Sequence, residues 1–224
     1  TSLNSEGFDK DQNYRNFISR EFSIITPENA LKLTHVQPYE SVFNFTEADA
    51  VVRFDADHGI QVRGHCFAWY RSIPSWVYKY EQLPDKLHSI LVSYIHRTVV
   101  HYRKDFPNVI RYWDVVNEAF EDNGTTRMGK LWDKIGATPQ DYIEIAFRAA
   151  HEADPDLVLF YNDYGSEEIN AKSDAIYAYI RSLKAKNVPI HGVGFQMHLH
   201  GDRKYDFESI QKNFSRFAKL GLVI

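Results

Sequence analysis

An asparagine and a glutamate stand side by side at the end of an apolar segment, in the stretch RYWDVVNEAF at 111–120. The carboxyl group of Glu118 can give and take a proton, and the amide of Asn117 can hold a hydroxyl group beside it. A glutamate at such a position is more often solvated or paired with a cation than catalytic. The residues that the fold brings near Glu118 therefore decide how it is interpreted.

Four more apolar segments are followed by side chains that could share one site with Glu118. The segments are EFSIIT (21–26), IQVRGH (60–65), LVLFYND (157–163) and IHGVGFQM (190–197). In chain order, the residues at or after their ends are Glu28, Asn29, Lys32, His65, Trp69, Asn162, Asp163, Tyr164, Gln196 and His198. Acids, amides, imidazoles, a lysine and aromatic walls together suit a polyhydroxylated ligand such as a sugar chain.

Other chemistries have less support in the sequence. A phosphate ligand would need more cations, and acyl transfer would need a serine or cysteine nucleophile in a sharp turn, which we do not find. His198 and His200 could bind a metal, with His65 and Asp163 as further ligands, but these residues form no closed ligand set. We predict neither a metal nor a cofactor.

The elements that must position these residues are alternating strands and helices. The apolar segments have the length of strands that are buried on both faces, and a further one, GLVI, begins at 221. Amphipathic stretches lie between them, for example one that opens at Pro84, and one with Thr138 as its cap. Such alternation predicts parallel strands joined by helices, in an open doubly wound sheet or a (β/α)8 barrel.

The position of the polar residues favours the barrel. An open sheet that binds nucleotides would carry a glycine-rich turn after its first strand, whereas Gly192 and Gly194 lie within the fifth apolar segment. Barrels place their chemistry at the carboxyl ends of the strands. Alternation also puts Asp114 inside the barrel below Glu118, and we hypothesise that Arg63 pairs with it, because neither charge is stable there alone.

Length and composition predict a single domain over residues 1–224. The net charge of −4 gives no basic surface for nucleic acid, and no apolar segment is long enough to span a membrane. Cys66 is the only cysteine, which excludes an intrachain disulfide. Aromatic residues make up 15% of the chain, and part of this excess could line a cleft for flat sugar rings.

Five motifs resemble those of the family 10 glycoside hydrolases, the endo-β-1,4-xylanases. They are TPENALK (26–32), RGHCFAW (63–69), WDVVNEAF (113–120), YNDYG (161–165) and GVGFQMHL (192–199), in the order and at the strand positions of that family. The resemblance implies a (β/α)8 barrel that cleaves β-1,4-xylan with retention of anomeric configuration. It also implies a secreted, extracellular enzyme, because the substrate is a polymer.

The resemblance also implies a role for each matching residue. Glu118 matches the acid/base, Asn117 the residue that holds the 2-hydroxyl at the cleavage point, and His198 the histidine that contacts the nucleophile. The substrate-binding positions are matched by Glu28, Asn29, Lys32, His65, Trp69, Tyr164 and Gln196. Leu33, Tyr70 and Ser72 depart from the family pattern near the sugar subsites, which concerns substrate preference rather than fold.

The nucleophile of the family lies at the end of the seventh strand, which we expect beyond Ile224. The resemblance covers the first helix to the start of that strand, so the first strand is expected before Thr1. The barrel would then be incomplete unless a further segment or another chain completes it. Two alternatives to a xylanase follow: a non-catalytic remnant that binds xylan or its oligosaccharides, and a glycosidase of this family that acts on another β-glycoside.

Overall fold

Six parallel strands, arranged in the order in which they occur in the chain, form one sheet. The structure is a computed structural model that describes residues 1–224 apart from the side chain of Glu6. The strands are β1 Ser2–Leu3, β2 Ile24–Pro27, β3 Gln61–Ala68, β4 Ile110–Asn117, β5 Val158–Asp163 and β6 Gly192–Phe195. A doubly wound sheet would reverse its strand order at a switch point. The consecutive order is that of a (β/α)8 barrel, so the predicted fold class is confirmed for this part of a barrel.

Helices occupy the connections between the strands. They are α1 Ser5–Lys10, α2 Gln12–Glu21, α3 Leu33–Val36, α4 Thr46–Asp57, α5 Pro84–Asp105, α6 Asp141–Ala153, α7 Ala171–Ala185 and α8 Phe207–Ala218. Pro84 occupies the first turn of α5, as predicted, and Asn170 and Ser173 form a capping box at the start of α7. None of the helices in the described residues is long and apolar enough to cross a membrane.

At both edges of the sheet, strand pairing involves segments of only one or two residues. Such segments are too short to be recognised as strands from sequence periodicity. Ser2 and Leu3 pair with Thr26 and Pro27, so β1 lies within residues 1–224, whereas the resemblance had led us to expect the first strand before Thr1. At the other edge, Val223 in the GLVI segment forms a parallel bridge with Gly192. Two residues give no alternation that could identify a strand, and only the pairing partner defines it.

Helix α6 begins later than the sequence predicted. Thr138 was the expected cap, but the helix starts at Asp141. The Asp141 carboxylate accepts hydrogen bonds from the backbone N–H groups of Ala137 and Thr138 and from the Thr138 hydroxyl group. These bonds hold 137–140 as a turn, since the side chain of Asp141 satisfies donors that a longer helix would leave free.

The hydrophobic core lies between the sheet and the helix layer that covers its outer face. Val115 of β4 and Leu159 of β5 are fully buried, as are Leu91 of α5 and Phe147 of α6. The predicted apolar face of α5 is confirmed: Leu87, Ile90, Leu91, Tyr94, Ile95 and Val99 are all buried. This packing holds the strands rigidly and leaves their carboxyl ends free to carry polar side chains.

Candidate active site

A cleft lies at the carboxyl ends of the strands, where the sequence predicted that polar residues would meet. Eight of the predicted residues line it: Glu28, Lys32, His65, Trp69, Asn117, Glu118, Gln196 and His198. They come from β3 and β4 and from the loops after β2, β3, β4 and β6. Parallel strands bring these distant segments to one edge, which is why spacing along the chain could indicate a shared site.

Glu118 is held at the centre of this cleft by hydrogen bonds to its backbone and its carboxylate. It follows the last residue of β4, has a φ of +57°, and donates its backbone N–H to the carbonyl oxygen of Asn162 at 2.9 Å. Trp69 Nε1 donates to one carboxylate oxygen at 2.9 Å, and Gln196 Nε2 donates to the other at 3.0 Å. The side chain direction is therefore fixed, with only 9% of the residue exposed.

Asn117 and His198 are linked to Glu118 through the same glutamine. Asn117 Oδ1 accepts hydrogen bonds from Asn162 Nδ2 at 2.8 Å and from Gln196 Nε2 at 3.3 Å. His198 Nε2 lies 2.9 Å from Gln196 Oε1. The amide nitrogen of Asn117 has no partner among the described residues, so this donor is available to a hydroxyl group of a ligand.

A nearly buried lysine also lines the cleft. Lys32 is 8% exposed and donates from Nζ to Asn29 Oδ1 at 3.0 Å. The same ammonium group lies 4.6 Å from the centroid of the Trp69 ring, which provides a cation–π contact. Among the described residues no carboxylate lies within ion-pair distance of Lys32. Asn29 does not itself line the cleft and acts on it through this contact.

The hypothesised pair of Arg63 and Asp114 is confirmed. Arg63 donates from Nε and Nη2 to one oxygen of Asp114 at 2.9 and 2.6 Å, and His65 Nδ1 lies 2.9 Å from the other oxygen. Gly194 faces this cluster, and a side chain there would meet Asn162 Oδ1 at 2.4 Å and Arg63 Nη2 at 2.6 Å. Gly194 therefore makes room for a charged barrel interior.

Opposite charges outweigh burial in this cluster. Burial alone would raise the pKa of Asp114, but the His65 hydrogen bond and the Arg63 charge lower it below its usual value. Burial alone would lower the pKa of His65, whereas Cys66 and Asp114 raise it to about 10. The cationic imidazole and the carboxylate thus stabilise each other below the catalytic rim.

Asp163 and Tyr164 lie outside the cleft, although Asp163 ends β5 and Tyr164 follows it. Tyr164 accepts a hydrogen bond from Arg127 Nη2 at 3.4 Å, and its ring centroid lies 3.5 Å from Lys172 Nζ. Asp163 is fully buried and pairs with Lys172 at 2.9 Å. The sequence left open that Asp163 could approach Glu118, but its carboxylate points away from the cleft into the helix layer.

Arg127 was missed in the sequence and contacts the backbone of Glu118. Its Nε donates to the Glu118 carbonyl oxygen at 3.0 Å, and its Nη1 pairs with Glu121 at 2.7 Å. Arg127 belongs to the irregular loop after β4, where no periodic pattern points to it. The only signal was a cation within ten residues of Glu118.

The residues that depart from the family pattern surround Trp69 rather than Glu118. Leu33 and Ser72 line a small hollow beside the Trp69 ring. Tyr70 packs its ring against Arg127, whose guanidinium carbon lies 4.4 Å from the ring centroid, and Arg71 lies at 5.2 Å. None of these three residues lines the cleft, and the hydrogen bonds to the Glu118 carboxylate come from Trp69 and Gln196 instead. In the described part of the chain, no group of three or more His, Cys, Asp or Glu is placed to hold a metal ion.

Two proteins of known name are similar in sequence to this chain over more than nine tenths of its length. Endo-1,4-beta-xylanase B of Thermotoga neapolitana is 41% identical over 213 residues, which is 95% of this chain and 59% of that protein. Exoglucanase XynX of Acetivibrio thermocellus is 36% identical over 214 residues, which is 92% of this chain and 19% of that protein. This chain therefore spans less than two thirds of the length of these relatives.

A solved structure shares the fold over nearly the whole chain. Xylanase 10B of Thermotoga petrophila, in complex with xylobiose, superposes with a TM-score of 0.90 and 40% identity, covering 99% of this chain and 65% of that one. The family model described as glycosyl hydrolase family 10 matches residues 1–224. The resemblance carried by the five motifs is thereby confirmed, and this chain belongs to glycosyl hydrolase family 10.

Proposed function

We propose that the protein containing residues 1–224 hydrolyses β-1,4-xylosidic bonds in xylan or xylo-oligosaccharides with retention of configuration, and that Glu118 is its general acid/base. The position of Glu118 carries the proposal: its carboxyl group lies in the cleft at the end of β4, with both oxygens oriented by Trp69 and Gln196. Relatives named endo-1,4-beta-xylanase, and a solved relative that holds xylobiose, support the choice of substrate.

The mechanism uses two carboxyl groups in two steps. In the first, a carboxylate attacks the anomeric carbon while Glu118 gives its proton to the departing glycosidic oxygen. In the second, Glu118 takes a proton from water, which displaces the carboxylate from the sugar. Asn117 holds a hydroxyl of the sugar at the cleavage point through its free amide nitrogen, while Glu28, Lys32 and His65 bind hydroxyl groups further along the cleft.

The carboxylate that attacks the sugar is proposed to come from outside residues 1–224. Besides Glu118, the carboxylates that line the described cleft are Glu28 and Asp114. Asp114 is bound by Arg63 and His65 beneath the rim, and exposed Glu28 accepts a hydrogen bond from Asn4 at 2.9 Å. The resemblance to the family gives neither of them this role, so we propose that a further segment or a complementing chain supplies the nucleophile. Because xylan is a polymer, we also propose that the protein acts outside the cell.

The test is reducing-sugar release from xylan by the full-length protein and by its Glu118→Ala variant. General acid/base catalysis contributes roughly 10²- to 10⁴-fold, so release should fall by at least about 100-fold in the variant. Glu152→Ala, which removes an exposed carboxylate on α6, is the matched control and should release sugar at the wild-type rate. Equal release by wild type and Glu118→Ala would exclude Glu118 as acid/base.

Two further outcomes would change the proposal. The relative named exoglucanase makes other β-glycosides the second candidate, so rates on xylo- and cello-oligosaccharides should be compared. Faster turnover of the cello-oligosaccharides would replace xylan as the substrate. If the folded wild-type protein releases no sugar at all but still binds xylo-oligosaccharides in calorimetry, the cleft serves binding and not hydrolysis.

A further inference from the structure

The peptide that follows Glu118 is held by residues that do not line the cleft. The carbonyl oxygen of Glu118 accepts a hydrogen bond from Arg127 Nε at 3.0 Å. The next backbone N–H, that of Ala119, donates to the hydroxyl oxygen of Tyr161 at 3.1 Å. The peptide between 118 and 119 is thus bound at its C=O and at its N–H by two different side chains.

This peptide needs such support because of its conformation. Glu118 has a φ of +57°, a left-handed conformation that is strained for a residue with a side chain. A non-glycine residue stays in this conformation only where its surroundings hold it. Proton transfer to a leaving oxygen also requires the acid within hydrogen-bond reach, so a small rotation of this peptide would misplace the carboxyl group.

A buried ion pair stands behind Tyr161. The Tyr161 hydroxyl group donates to one oxygen of Asp163 at 2.5 Å. The other oxygen pairs with Lys172 Nζ at 2.9 Å and accepts the backbone N–H of Tyr164, also at 2.9 Å. Tyr161, Asp163 and Lys172 are each at most 1% exposed. Because a buried carboxylate and ammonium are stable only with their partners in place, the pair fixes the direction of the Tyr161 hydroxyl group.

The contacts close into a ring around the peptide. Lys172 lies 3.5 Å from the centroid of the Tyr164 ring, and the hydroxyl oxygen of Tyr164 accepts a hydrogen bond from Arg127 Nη2 at 3.4 Å. Arg127 closes this circle of contacts, because its Nε donates to the Glu118 carbonyl oxygen. Burial raises the pKa of Asp163 to about 6, against the opposing effects of Lys172 and Tyr161, so this carboxylate is ionised at neutral pH.

We propose that Tyr161 and Arg127, supported by Asp163 and Lys172, are positioning residues that fix the peptide after Glu118 and so aim its carboxyl group at the leaving oxygen. This inference rests on the proposed function, because it assigns these residues to the protonation step of that reaction. None of them lines the cleft, and their effect on catalysis passes through Glu118.

Tyr161→Phe is the sharpest variant, since it removes one hydroxyl group and keeps the ring in the core. It leaves the Ala119 N–H group and one oxygen of Asp163 without this partner. In the full-length protein, kcat/KM should be measured with two aryl β-xylobiosides. Phenol is a poor leaving group that needs the proton, and 2,4-dinitrophenol leaves without it. We expect a loss of about 10-fold or more for the phenyl substrate and less than about 3-fold for the dinitrophenyl substrate.

Matched variants separate positioning from a general loss of stability. Tyr179→Phe removes another tyrosine hydroxyl group, which donates to the Gln140 carbonyl oxygen at 3.1 Å, and should change neither rate. Arg127→Lys removes the Nε–H group that donates to the Glu118 carbonyl oxygen, and should show the same selective loss as Tyr161→Phe. It also keeps the test available if Tyr161→Phe does not fold, as judged by circular dichroism.

The Glu118→Gln variant in the same assay distinguishes the two ways in which the inference can fail. If Glu118→Gln loses activity selectively on the phenyl substrate but Tyr161→Phe and Arg127→Lys lose both substrates equally, or neither, only the positioning role is overturned. If Glu118→Gln itself shows no difference between the substrates, the proposed function fails and the positioning role fails with it.

Discussion

Two aspartates of this chain are equally hidden from water and behave in opposite ways. Asp114 lies inside the barrel beneath the cleft and is 2% exposed, while Asp55 lies on α4 and is fully buried. Asp114 has Arg63 and His65 against its two oxygens, and its pKa is lowered. Neither oxygen of Asp55 has a hydrogen-bond partner among the described residues, and burial raises its pKa to about 8.

The difference shows that partners, and not depth, decide whether a buried carboxylate supports this fold. A lowered pKa means that Asp114 contributes stability above its unfolded pKa, which is lost as the pH falls. A raised pKa has the reverse sign: Asp55 binds a proton in the folded state that the unfolded chain has already lost between about pH 4 and pH 8. Stability from Asp55 is therefore lost as the pH rises through that window.

The largest effect is expected from removing the charge of Asp114. Asp114→Asn leaves Arg63 and the His65 imidazolium without their counter-charge, and we expect the free energy of unfolding to fall by about 3 kcal/mol. Arg63 is 24% exposed, so water moderates the loss. Urea unfolding at pH 7 measures the change. The double variant Arg63→Met with Asp114→Asn should regain part of it, and a single variant as stable as wild type would remove the contrast with Asp55.

An intermediate effect of opposite sign is expected from Asp55→Asn. This variant removes a charge that has no partner, so it should raise the free energy of unfolding by roughly 2 kcal/mol at pH 8. At pH 4 the gain should disappear, because Asp55 is then protonated in the folded state. Thermal melts at both pH values measure it. Asp57→Asn, at an exposed position of the same helix, is the control and should give no such pH-dependent gain.

The smallest effect is expected for an ion pair that water surrounds. Glu208 and Lys212 lie one turn apart on α8 at 2.6 Å, with their side chains 74% and 63% exposed. Lys212→Ala should change the free energy of unfolding by less than about 0.5 kcal/mol, and by less still in 1 M salt. Urea unfolding at low and high salt measures this. If Lys212→Ala lowered the free energy of unfolding as much as Asp114→Asn, burial would not determine how much an ion pair stabilises this chain.

The sequence could predict those site residues that lie at the carboxyl ends of strands, because these ends are close together in a barrel. Glu118, Gln196 and Trp69 could be brought together from the sequence because parallel strands share one rim. Asp163 and Tyr164 also stand at a strand end. They lie outside the cleft, because Lys172 draws the Asp163 carboxylate into the helix layer. No local sequence pattern around Asp163 reveals Lys172 as its partner, because Lys172 belongs to a different element, α7.

By itself, the sequence determined the alternation of strands and helices, the barrel order, the family and the pairing of Arg63 with Asp114. Each of these follows from periodicity, from motif spacing or from the cost of an isolated charge. Only the tertiary structure decided that Arg127 and Tyr161 hold the peptide after Glu118, and that the carboxylate oxygens of Asp55 have no hydrogen-bond partner among the described residues. Those facts depend on where loops and neighbouring helices place individual atoms within about 3 Å, which no one-dimensional pattern encodes.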